Sequence, residues 1–295
     1  MQEKVHKAVI LSIYATFMQF SCINVQSRFK QANATQREMK TDRTLIVVPT
    51  YNERENVRAL VAQLLEVAPG ADVCLLDDNS PDGTAAYASE LFGANPRFFV
   101  MRRTGARGYG RSLLDGYRRA IEGGYTRLVQ LDADFSHDPK SIPALIEASR
   151  NGADVVIGSR YCVGGGVANW PLRRRLLSRF ANRYVCRITG LSVRDTTSGF
   201  RCYTRKALGR LLEARVAAEG YAFLVESTHR AHREGLKVAE VPITFTDRRE
   251  GQSKMSRKVI LESVLMPWRL RFARKRDDEI RDEGGSVRDE RNAEG

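Results

Sequence analysis

The 295-residue sequence has few of the residues from which zinc and redox sites are built. It contains five cysteines and four histidines, the cysteines are widely spaced, and no Cys-x-x-Cys pair occurs. A zinc site or a dithiol redox centre is therefore not expected. We interpret the cysteines as reduced and structural, which fits a cytoplasmic location. The sequence also lacks Gly-x-Ser-x-Gly, which argues against a serine hydrolase.

A long uninterrupted apolar run is also missing. The uncharged stretch between Lys7 and Arg28 has the length of a bilayer crossing, but Ser, Thr, Gln, Cys and Asn residues interrupt it. It also has no clear small-residue cleavage site of the kind that a signal peptide needs. Two interpretations of residues 1–40 therefore stay open. They form a weak membrane anchor, or they are a disordered or misassigned leader before a true start at Met39.

Negative charge is in short supply. Lys and Arg number 48 against 35 Asp and Glu, which gives a formal net charge of +13 and a pI of about 9.8. Such a balance suits nucleic acid, an anionic membrane or a phosphorylated substrate. No nucleic-acid-binding motif is present and few aromatic residues are interleaved with the basic ones, so no nucleic-acid partner is expected. A basic nucleic-acid-binding protein, recognisable by salt-dependent binding, remains the alternative from another class.

Apolar runs of strand length alternate with helical patterns from Thr44 onward. Continuous apolar runs are typical of buried parallel strands, and the intervening helices carry apolar residues on one face. The predicted strands are Thr44–Val48, Asp72–Leu76, Phe98–Met101, Arg127–Leu131 and Ala153–Ile157. This alternation predicts a single α/β domain over residues 41–256, with a mainly parallel central sheet and right-handed crossovers.

Beyond this alternation the sequence predicts further elements. Leu172–Thr189 has the pattern of a basic helix, and a strand-like segment covers Lys237–Phe245. Residues 257–273 are predicted to form an amphipathic interfacial helix. Residues 274–295 are almost wholly charged and are predicted to be a disordered tail.

Polar clusters follow four of the predicted strands, and α/β folds bind ligands where the carboxyl ends of parallel strands meet. Asp132 and Asp134 flank Ala133 just after a strand. In an extended chain this spacing points both carboxylates the same way, and their repulsion favours a divalent cation with oxygen ligands, Mg²⁺ or Mn²⁺. Two solvated loop aspartates are the alternative. Asp78, in the cluster after the second strand, is suited to bind a base or ribose, beside the alternative of helix capping.

Arginine dominates two basic clusters in the second half of the chain. The first comprises Arg160, Arg173, Arg174, Arg175 and Arg179. Guanidinium groups suit bidentate capture of phosphate, although a solvated basic helix face is the alternative. The second comprises Arg248, Arg249 and Lys254. Because Gly and Ser lie between them, this segment is a candidate lid over the substrate.

Together these segments resemble the inverting GT-A glycosyltransferases, and specifically the polyprenyl (dolichyl) phosphate mannose synthases. The resemblance covers about residues 44–256. It rests on PTYNEREN at 49–56, DDNSPDGT at 77–84, DADFSHDP at 132–139, GSRY at 158–161, GGGVANWP at 164–171, TSGFR at 197–201 and DRREGQSK at 247–254. The resemblance implies a Rossmann-like GT-A catalytic domain. The SHDP that follows DAD is similar to mannose synthases rather than to glucosyl or aminoarabinosyl relatives.

The resemblance also implies roles for individual residues. The catalytic residues are implied to be Asp132, Asp134 and Arg160, of which the two aspartates bind the metal. The implied donor contacts are Pro49, Tyr51, Glu53, Leu76, Asp78, Asp132, Ala133, Asp134, Arg160, Arg248 and Lys254. The implied ligands of the acceptor phosphate are Arg160, Arg174 and Ser178. Asp195, beside a Thr-Thr-Ser-Gly segment, is a further candidate for orienting the acceptor.

The sequence departs from this family in three respects. Tyr109 lies in a glycine loop that usually reads Gly-Leu-Gly, and Leu224 stands where glutamine is common. The C-terminal membrane helices of many relatives have no counterpart in this sequence. The last departure implies peripheral attachment to a membrane surface or a membrane-anchoring protein partner.

The expected reaction is transfer of mannose from GDP-mannose to a polyprenyl phosphate at the cytoplasmic face of a membrane. It is expected to be a metal-assisted inverting displacement, and it needs no strong general base because the acceptor phosphate is already anionic. The nearest alternative is a polyprenyl phosphate glycosyltransferase that uses UDP-glucose or another nucleotide sugar. A non-catalytic scaffold with a decayed site is a further alternative, against which the intact carboxylates argue.

Overall fold

The computed structural model describes residues 42–213, 220–247 and 264–272. The compact unit that contains the sheet begins at Thr44. The predictions for residues 1–40, for Arg248 and Lys254, for residues 257–263 and 273 of the interfacial helix, and for the tail at 274–295 lie outside the described residues. They stay predictions.

Strands and helices alternate along most of the chain. The strands are β1 (Thr44–Thr50), β2 (Ala71–Asp77), β3 (Phe98–Arg102), β4 (Arg127–Gln130), β5 (Val155–Ser159), β6 (Gly166–Val167), β7 (Arg201–Thr204), β8 (Val238–Pro242) and β9 (Thr244–Phe245). The helices are α1 (Arg54–Val67), α2 (Thr84–Phe92), α3 (Tyr109–Glu122), α4 (Ile142–Arg150), α5 (Leu172–Thr189), α6 (Arg205–Glu213) and α7 (Tyr221–Arg233). A 3₁₀ turn, Pro139–Ser141, precedes α4, and residues 264–272 form a further helix, α8.

The central sheet has seven strands in the order β3-β2-β1-β4-β7-β5-β8. Neighbouring strands are parallel except around β7, which lies antiparallel between β4 and β5. The predicted α/β class with a mainly parallel sheet is confirmed, and all five predicted strands are present. The segment predicted as one strand over 237–245 divides at Ile243. Its first part, β8, joins the central sheet, and its second part, β9, pairs with β6.

Both faces of the sheet are buried. Alternate residues of a strand point to opposite faces, and β1 shows this directly. Ile46 and Val48 pack in one cluster with residues of α1 and α4, while Leu45 and Val47 pack in another with residues of α3, α6 and α7. Two covered faces explain why the strands have continuous apolar runs rather than alternating ones.

Helix α5 exposes much of its surface. Its buried residues are Asn182, Val185, Ile188 and Thr189, all in the C-terminal half. Helix α8 packs beside that half, because Trp268 Nε1 donates a hydrogen bond to the Tyr184 hydroxyl at 2.9 Å and Arg271 donates one to the Ile188 carbonyl at 2.8 Å. Among the helices of the described residues, none combines the length and the hydropathy that a bilayer crossing requires.

Candidate active site

The carboxyl ends of β1 and β2 lie side by side. Thr50 pairs with Asp77 and Pro49 with Leu76, and the Asp78 amide donates to the Thr50 carbonyl at 3.0 Å. The Leu76 side chain is fully buried in the core. The nucleotide contact predicted for Leu76 would therefore have to come from its backbone.

Asp78 is held by a buried network. Arg103 forms an ion pair with the Asp78 carboxylate through Nη1, and the Gly108 amide donates to Asp78 Oδ2 at 2.9 Å. Gly108 has a φ of 153°, which L-residues with side chains rarely adopt. The neighbouring Asp77 instead caps a turn by accepting hydrogen bonds from the Ser80 amide and hydroxyl. Local capping thus falls to Asp77, and the direction of the Asp78 carboxylate is fixed separately.

Tyr51 and Glu53 follow β1 at the same edge of the sheet. The turn between them is made by Asn52, whose φ of 61° is tolerated by asparagine better than by most residues. Arg107 donates to the Tyr51 hydroxyl at 2.8 Å, and its guanidinium lies 4.6 Å from the centre of the ring. The Glu53 carboxylate accepts a hydrogen bond from the Asn56 side chain at 2.8 Å. Both predicted donor contacts are therefore anchored by neighbouring side chains.

Asp132 directly precedes a turn at Ala133 and Asp134 beyond β4, so the two aspartates do not lie in an extended strand, which corrects the geometric premise of the sequence prediction. Phe135 adopts a φ of 60° in this turn. Asp134 is buried, and its Oδ1 accepts a hydrogen bond from the Ser136 amide at 3.0 Å. The Asp132 side chain is 32% exposed. The turn, rather than strand alternation, therefore sets the direction of the two carboxylates.

Two ring side chains contact Asp132. The Tyr109 hydroxyl donates to Asp132 Oδ1 at 3.1 Å. Burial and the nearby Asp132 charge raise the pKa of Tyr109 well above its ordinary value, so the hydroxyl keeps its proton. The Asp132 amide donates to Nδ1 of the fully buried His137 at 3.3 Å. Burial lowers the pKa of His137 despite the neighbouring carboxylates, and a neutral imidazole fits its accepting Nδ1.

The carboxylate pair fits one side of a divalent-cation site. Carboxylate oxygens are the ligands that Mg²⁺ and Mn²⁺ prefer, and hydrogen bonds orient both carboxylates. Within residues 42–213, 220–247 and 264–272, no group of three or more His, Cys, Asp and Glu side chains forms a metal site by itself. A cation at Asp132 and Asp134 would therefore need further oxygen ligands, which a nucleotide diphosphate can supply.

Arg160 follows β5 and forms a buried ion pair with Asp195. Its Nε and Nη2 each donate to an Asp195 oxygen at 2.7 Å, and Nη2 also donates to Thr197 Oγ1 at 2.6 Å. Burial raises the pKa of Asp195, but the hydrogen bonds and charge of Arg160 outweigh it and lower that pKa below its ordinary 3.8. Two guanidinium nitrogens of Arg160 therefore point into the protein, so only part of this side chain is suited to a substrate phosphate.

An aromatic cluster joins Arg160 to the carboxylate pair. The Arg160 guanidinium lies 5.9 Å from the Trp170 ring centre and 5.4 Å from that of Phe245. Phe245 packs edge-on against Trp170 and against His137, each at 5.4 Å. His137 in turn contacts Asp132. A series of side-chain contacts thus links Asp132, a predicted metal ligand, to Arg160, a predicted ligand of the acceptor phosphate.

Arg174 and Ser178 lie one turn apart on α5, on the side of the helix that contacts this cluster. The Arg174 guanidinium lies 4.0 Å from the Trp170 ring centre and donates to Asp247 Oδ2 at 2.8 Å. Its side chain is 46% exposed, which makes it far more accessible than Arg160. Ser178 accepts a hydrogen bond from the Tyr161 hydroxyl at 2.6 Å.

Comparison with known sequences places the chain in a family. Residues 45–212 match the profile of Glycosyl transferase family 2. The chain belongs to this family. It is 44% identical over 234 residues to polyprenol monophosphomannose synthase from Mycolicibacterium smegmatis, covering 78% of this chain and 88% of that relative. It is 40% identical over 223 residues to undecaprenyl-phosphate mannosyltransferase from Micrococcus luteus, covering 76% and 91%. The chain is therefore a glycosyltransferase, as predicted.

Solved structures confirm the GT-A fold of this glycosyltransferase. Glucosyl-3-phosphoglycerate synthase from Mycobacterium tuberculosis, in complex with Mn²⁺, UDP and phosphoglyceric acid, has a TM-score of 0.58 at 20% identity, covering 77% of this chain and 78% of that one. The same enzyme with UDP alone has a TM-score of 0.57 at 19% identity, covering 77% and 80%. At such low identity the likeness shows the fold and nothing about substrates.

Contacts within the glycosyltransferase site include residues that the sequence did not assign. Tyr109 and His137 contact Asp132, and Arg103 pairs with Asp78. For Tyr109 the available signal was its departure from Gly-Leu-Gly, and for His137 its position in the DADFSHDP segment. Arg103 carries no comparable signal, because it lies beside Asp78 only through the register of β3 on β2, in which Arg102 pairs with Asp77.

Proposed function

We propose that this glycosyltransferase transfers mannose from GDP-mannose to a polyprenyl (dolichyl-type) phosphate, giving polyprenyl phosphate mannose and GDP. Two relatives, at 44% and 40% identity, bear the names polyprenol monophosphomannose synthase and undecaprenyl-phosphate mannosyltransferase. The structural observation that carries the proposal is the run of ring contacts, through His137, Phe245 and Trp170, that links Asp132 to Arg160 and Arg174.

The donor nucleotide is proposed to lie along the ends of β1 and β2. The Asp78 carboxylate, already oriented by Arg103 and the Gly108 amide, is suited to accept hydrogen bonds from the base or ribose. The Tyr51 ring, with Arg107 stacked on it, offers an aromatic surface beside that position. A site that is oriented before binding loses little conformational entropy when the ligand arrives.

Asp132 and Asp134 are proposed to hold Mg²⁺ or Mn²⁺ together with the donor diphosphate. The bound cation would supply positive charge to the leaving GDP. The contribution of the protein is orientation. The Ser136 amide holds Asp134, so this carboxylate need not be reorganised as charge develops.

The sugar transfer is proposed to be a single inverting displacement. An oxygen of the acceptor phosphate forms a bond to the anomeric carbon as the bond from that carbon to GDP breaks, and the bonding electrons leave with GDP. Arg174 and Ser178 are proposed to hold the acceptor phosphate, with Arg160, whose charge is largely compensated by Asp195, beside it. The site therefore acts by positioning and charge stabilisation rather than by proton abstraction.

The acceptor is a lipid, and we propose that α5 and α8 rest on an anionic membrane at its cytoplasmic face. The large apolar side chains that these helices expose are Leu172, Leu176, Leu177, Phe180, Val264, Leu265, Trp268 and Phe272. The exposed Arg179 and Arg183 lie beside the apolar residues of α5. Apolar side chains flanked by arginines are typical of helices that lie in a membrane interface. The chain should bind anionic vesicles when no other protein is present. If it does not, attachment through a membrane-anchoring protein is indicated.

The deciding experiment supplies the purified full chain with a polyprenyl phosphate, Mg²⁺ and either labelled GDP-mannose or labelled UDP-glucose. We expect lipid-linked label with GDP-mannose and none with UDP-glucose. Asp134→Asn should abolish this transfer without unfolding the protein. Asp138→Asn is a matched control in the same segment, since Asp138 is exposed and its carboxylate accepts a hydrogen bond from the Lys140 amide. Transfer from UDP-glucose instead, or near-normal transfer by the Asp134 variant, would refute the donor or the metal assignment respectively.

A further inference from the structure

Tyr109 is the residue at which the glycine loop departs from Gly-Leu-Gly, and neither the donor nor the acceptor contacts include it. Its hydroxyl donates to Asp132 Oδ1 at 3.1 Å. A leucine at this position could make no such contact, because its side chain carries no hydrogen-bond donor. The contact therefore links a particular choice of side chain to the proposed cation site.

The Tyr109 hydroxyl has little room to turn away from Asp132. Its residue begins α3 directly after Gly108, whose amide is bound to Asp78. Behind the hydroxyl lies Gly199, where a Cβ would come within 2.7 Å of the Tyr109 hydroxyl and 3.2 Å of Asp132 Oδ1. The absence of a side chain at Gly199 is what allows the tyrosine and the aspartate to meet.

The backbone at Gly199, next to this contact, is held by hydrogen bonds from the core. Gln130 Nε2 donates to the Gly199 carbonyl at 3.0 Å, and the Tyr117 hydroxyl donates to Gln130 Oε1 at 2.6 Å. Tyr117 and Gln130 are both fully buried. The backbone behind Tyr109 is therefore tied to the core of the domain.

We propose that Tyr109 is a positioning residue that orients the Asp132 carboxylate for a divalent cation. The inference rests on the proposed assignment of Asp132 to that cation. Each carboxylate oxygen has two lone-pair directions, so Asp132 can accept the hydrogen bond and still bind a cation. Because Gly108 and Tyr109 are consecutive, one turn fixes both Asp78 on the nucleotide side and Asp132 on the cation side.

The test uses Tyr109→Phe in the full chain, which keeps the ring and removes the hydroxyl. Mn²⁺ binding is measured by electron paramagnetic resonance in the presence of saturating GDP. We expect the dissociation constant for Mn²⁺ to rise roughly 10-fold, the lower end of the usual effect of losing a group that orients a metal ligand. GDP affinity without metal should not change, since the Gly108 amide still holds Asp78. In turnover, the metal concentration for half-maximal rate should rise while kcat at saturating metal is retained.

Tyr125→Phe is the matched control. The Tyr125 hydroxyl donates to Asp72 Oδ2 at 2.7 Å, so this variant also loses a tyrosine–aspartate hydrogen bond, but at the opposite edge of the sheet. Its Mn²⁺ affinity should equal that of the parent. The proposal is overturned if Tyr109→Phe binds Mn²⁺ as the parent does, if both variants weaken binding equally, or if the parent binds no Mn²⁺ with GDP. If Tyr109→Phe weakens Mn²⁺ binding as expected but the parent transfers no mannose, the proposed reaction is refuted and the role of Tyr109 is not.

Discussion

Replacing Asp195 with asparagine should destabilise the protein far more than a typical surface substitution. The side chains of Arg160 and Asp195 are 8% and 0% exposed, and two hydrogen bonds of 2.7 Å join them. The substitution leaves the guanidinium buried without the carboxylate charge that compensates it. Breaking a buried pair in this way costs about 3–5 kcal/mol of unfolding free energy. Some of the geometry is kept, because asparagine has nearly the same shape.

The effect should also depend on pH in a defined direction. The pKa of Asp195 in the folded protein is below its ordinary value of 3.8, because Arg160 outweighs the effect of burial. A carboxylate with a lowered pKa stabilises the fold fully above its unfolded pKa, and that contribution is lost as pH falls toward the folded pKa. The difference between parent and variant should therefore be constant from neutral pH down to about pH 5 and shrink below it.

Urea unfolding followed by circular dichroism measures this difference. Asp247→Asn is the matched control, because Asp247 pairs with Arg174 at 2.8 Å but the two side chains are 42% and 46% exposed. Breaking that pair should cost no more than about 1 kcal/mol. The reasoning fails if Asp195→Asn is no more destabilising than Asp247→Asn, or if its effect already changes between pH 7 and pH 5.

Further substitutions test the acceptor site, the cation site, the membrane surface and the core. Arg174→Ala should raise the KM for the lipid acceptor more than the KM for the donor. If steady-state kinetics with both substrates showed the larger rise for the donor, the assignment of Arg174 to the lipid phosphate would be wrong. Gly199→Ala should weaken Mn²⁺ binding in the presence of GDP, since the new Cβ would lie 2.7 Å from the tyrosine hydroxyl; unchanged binding would contradict the tight geometry. Phe180→Glu should reduce binding to anionic vesicles roughly 10-fold in a sedimentation assay, while transfer to a short soluble acceptor is retained. Burial raises the pKa of Cys74 and Cys202 to about 12, so mass spectrometry should find both thiols unlabelled by iodoacetamide at pH 8 in the folded protein; fast labelling there would show that the core opens.

The strands could be predicted from sequence because both faces of the sheet are covered, which makes each parallel strand a continuous apolar run. β7 was not among the strands predicted from the sequence. Its first residue, Arg201, is fully buried and donates hydrogen bonds to the Ser198, Thr196 and Leu224 carbonyls. A buried arginine interrupts the apolar pattern by which the other strands could be recognised. Its contact with Leu224, 23 residues further along, forms only in the complete fold.

Only part of the candidate site could be predicted from the sequence. The paired aspartates at Asp132 and Asp134 are visible because their chemistry needs a short spacing in sequence. The partner of Arg160 is not visible in this way, since Asp195 lies 35 residues further along and meets it through the fold. Sequence reasoning therefore assigned Arg160 wholly to the substrate, whereas the structure shows a charge largely compensated within the protein. The turn at Phe135 was equally hidden, because a positive φ at phenylalanine has no sequence signature.

Helix α5 carries two sets of side chains on opposite sides. Arg174 and Ser178 contact Trp170 and Tyr161, while Leu176 and its apolar neighbours point away from the domain. An α-helix with its side chains is about 10 Å across, so a phosphate held on one side lies within one helix diameter of a bilayer that receives the other. In the arrangement that we propose, the acceptor need not leave the bilayer to react. We then expect its number per unit area of membrane, rather than its amount per volume of solution, to govern turnover, so that added carrier lipid should slow the enzyme at constant bulk acceptor.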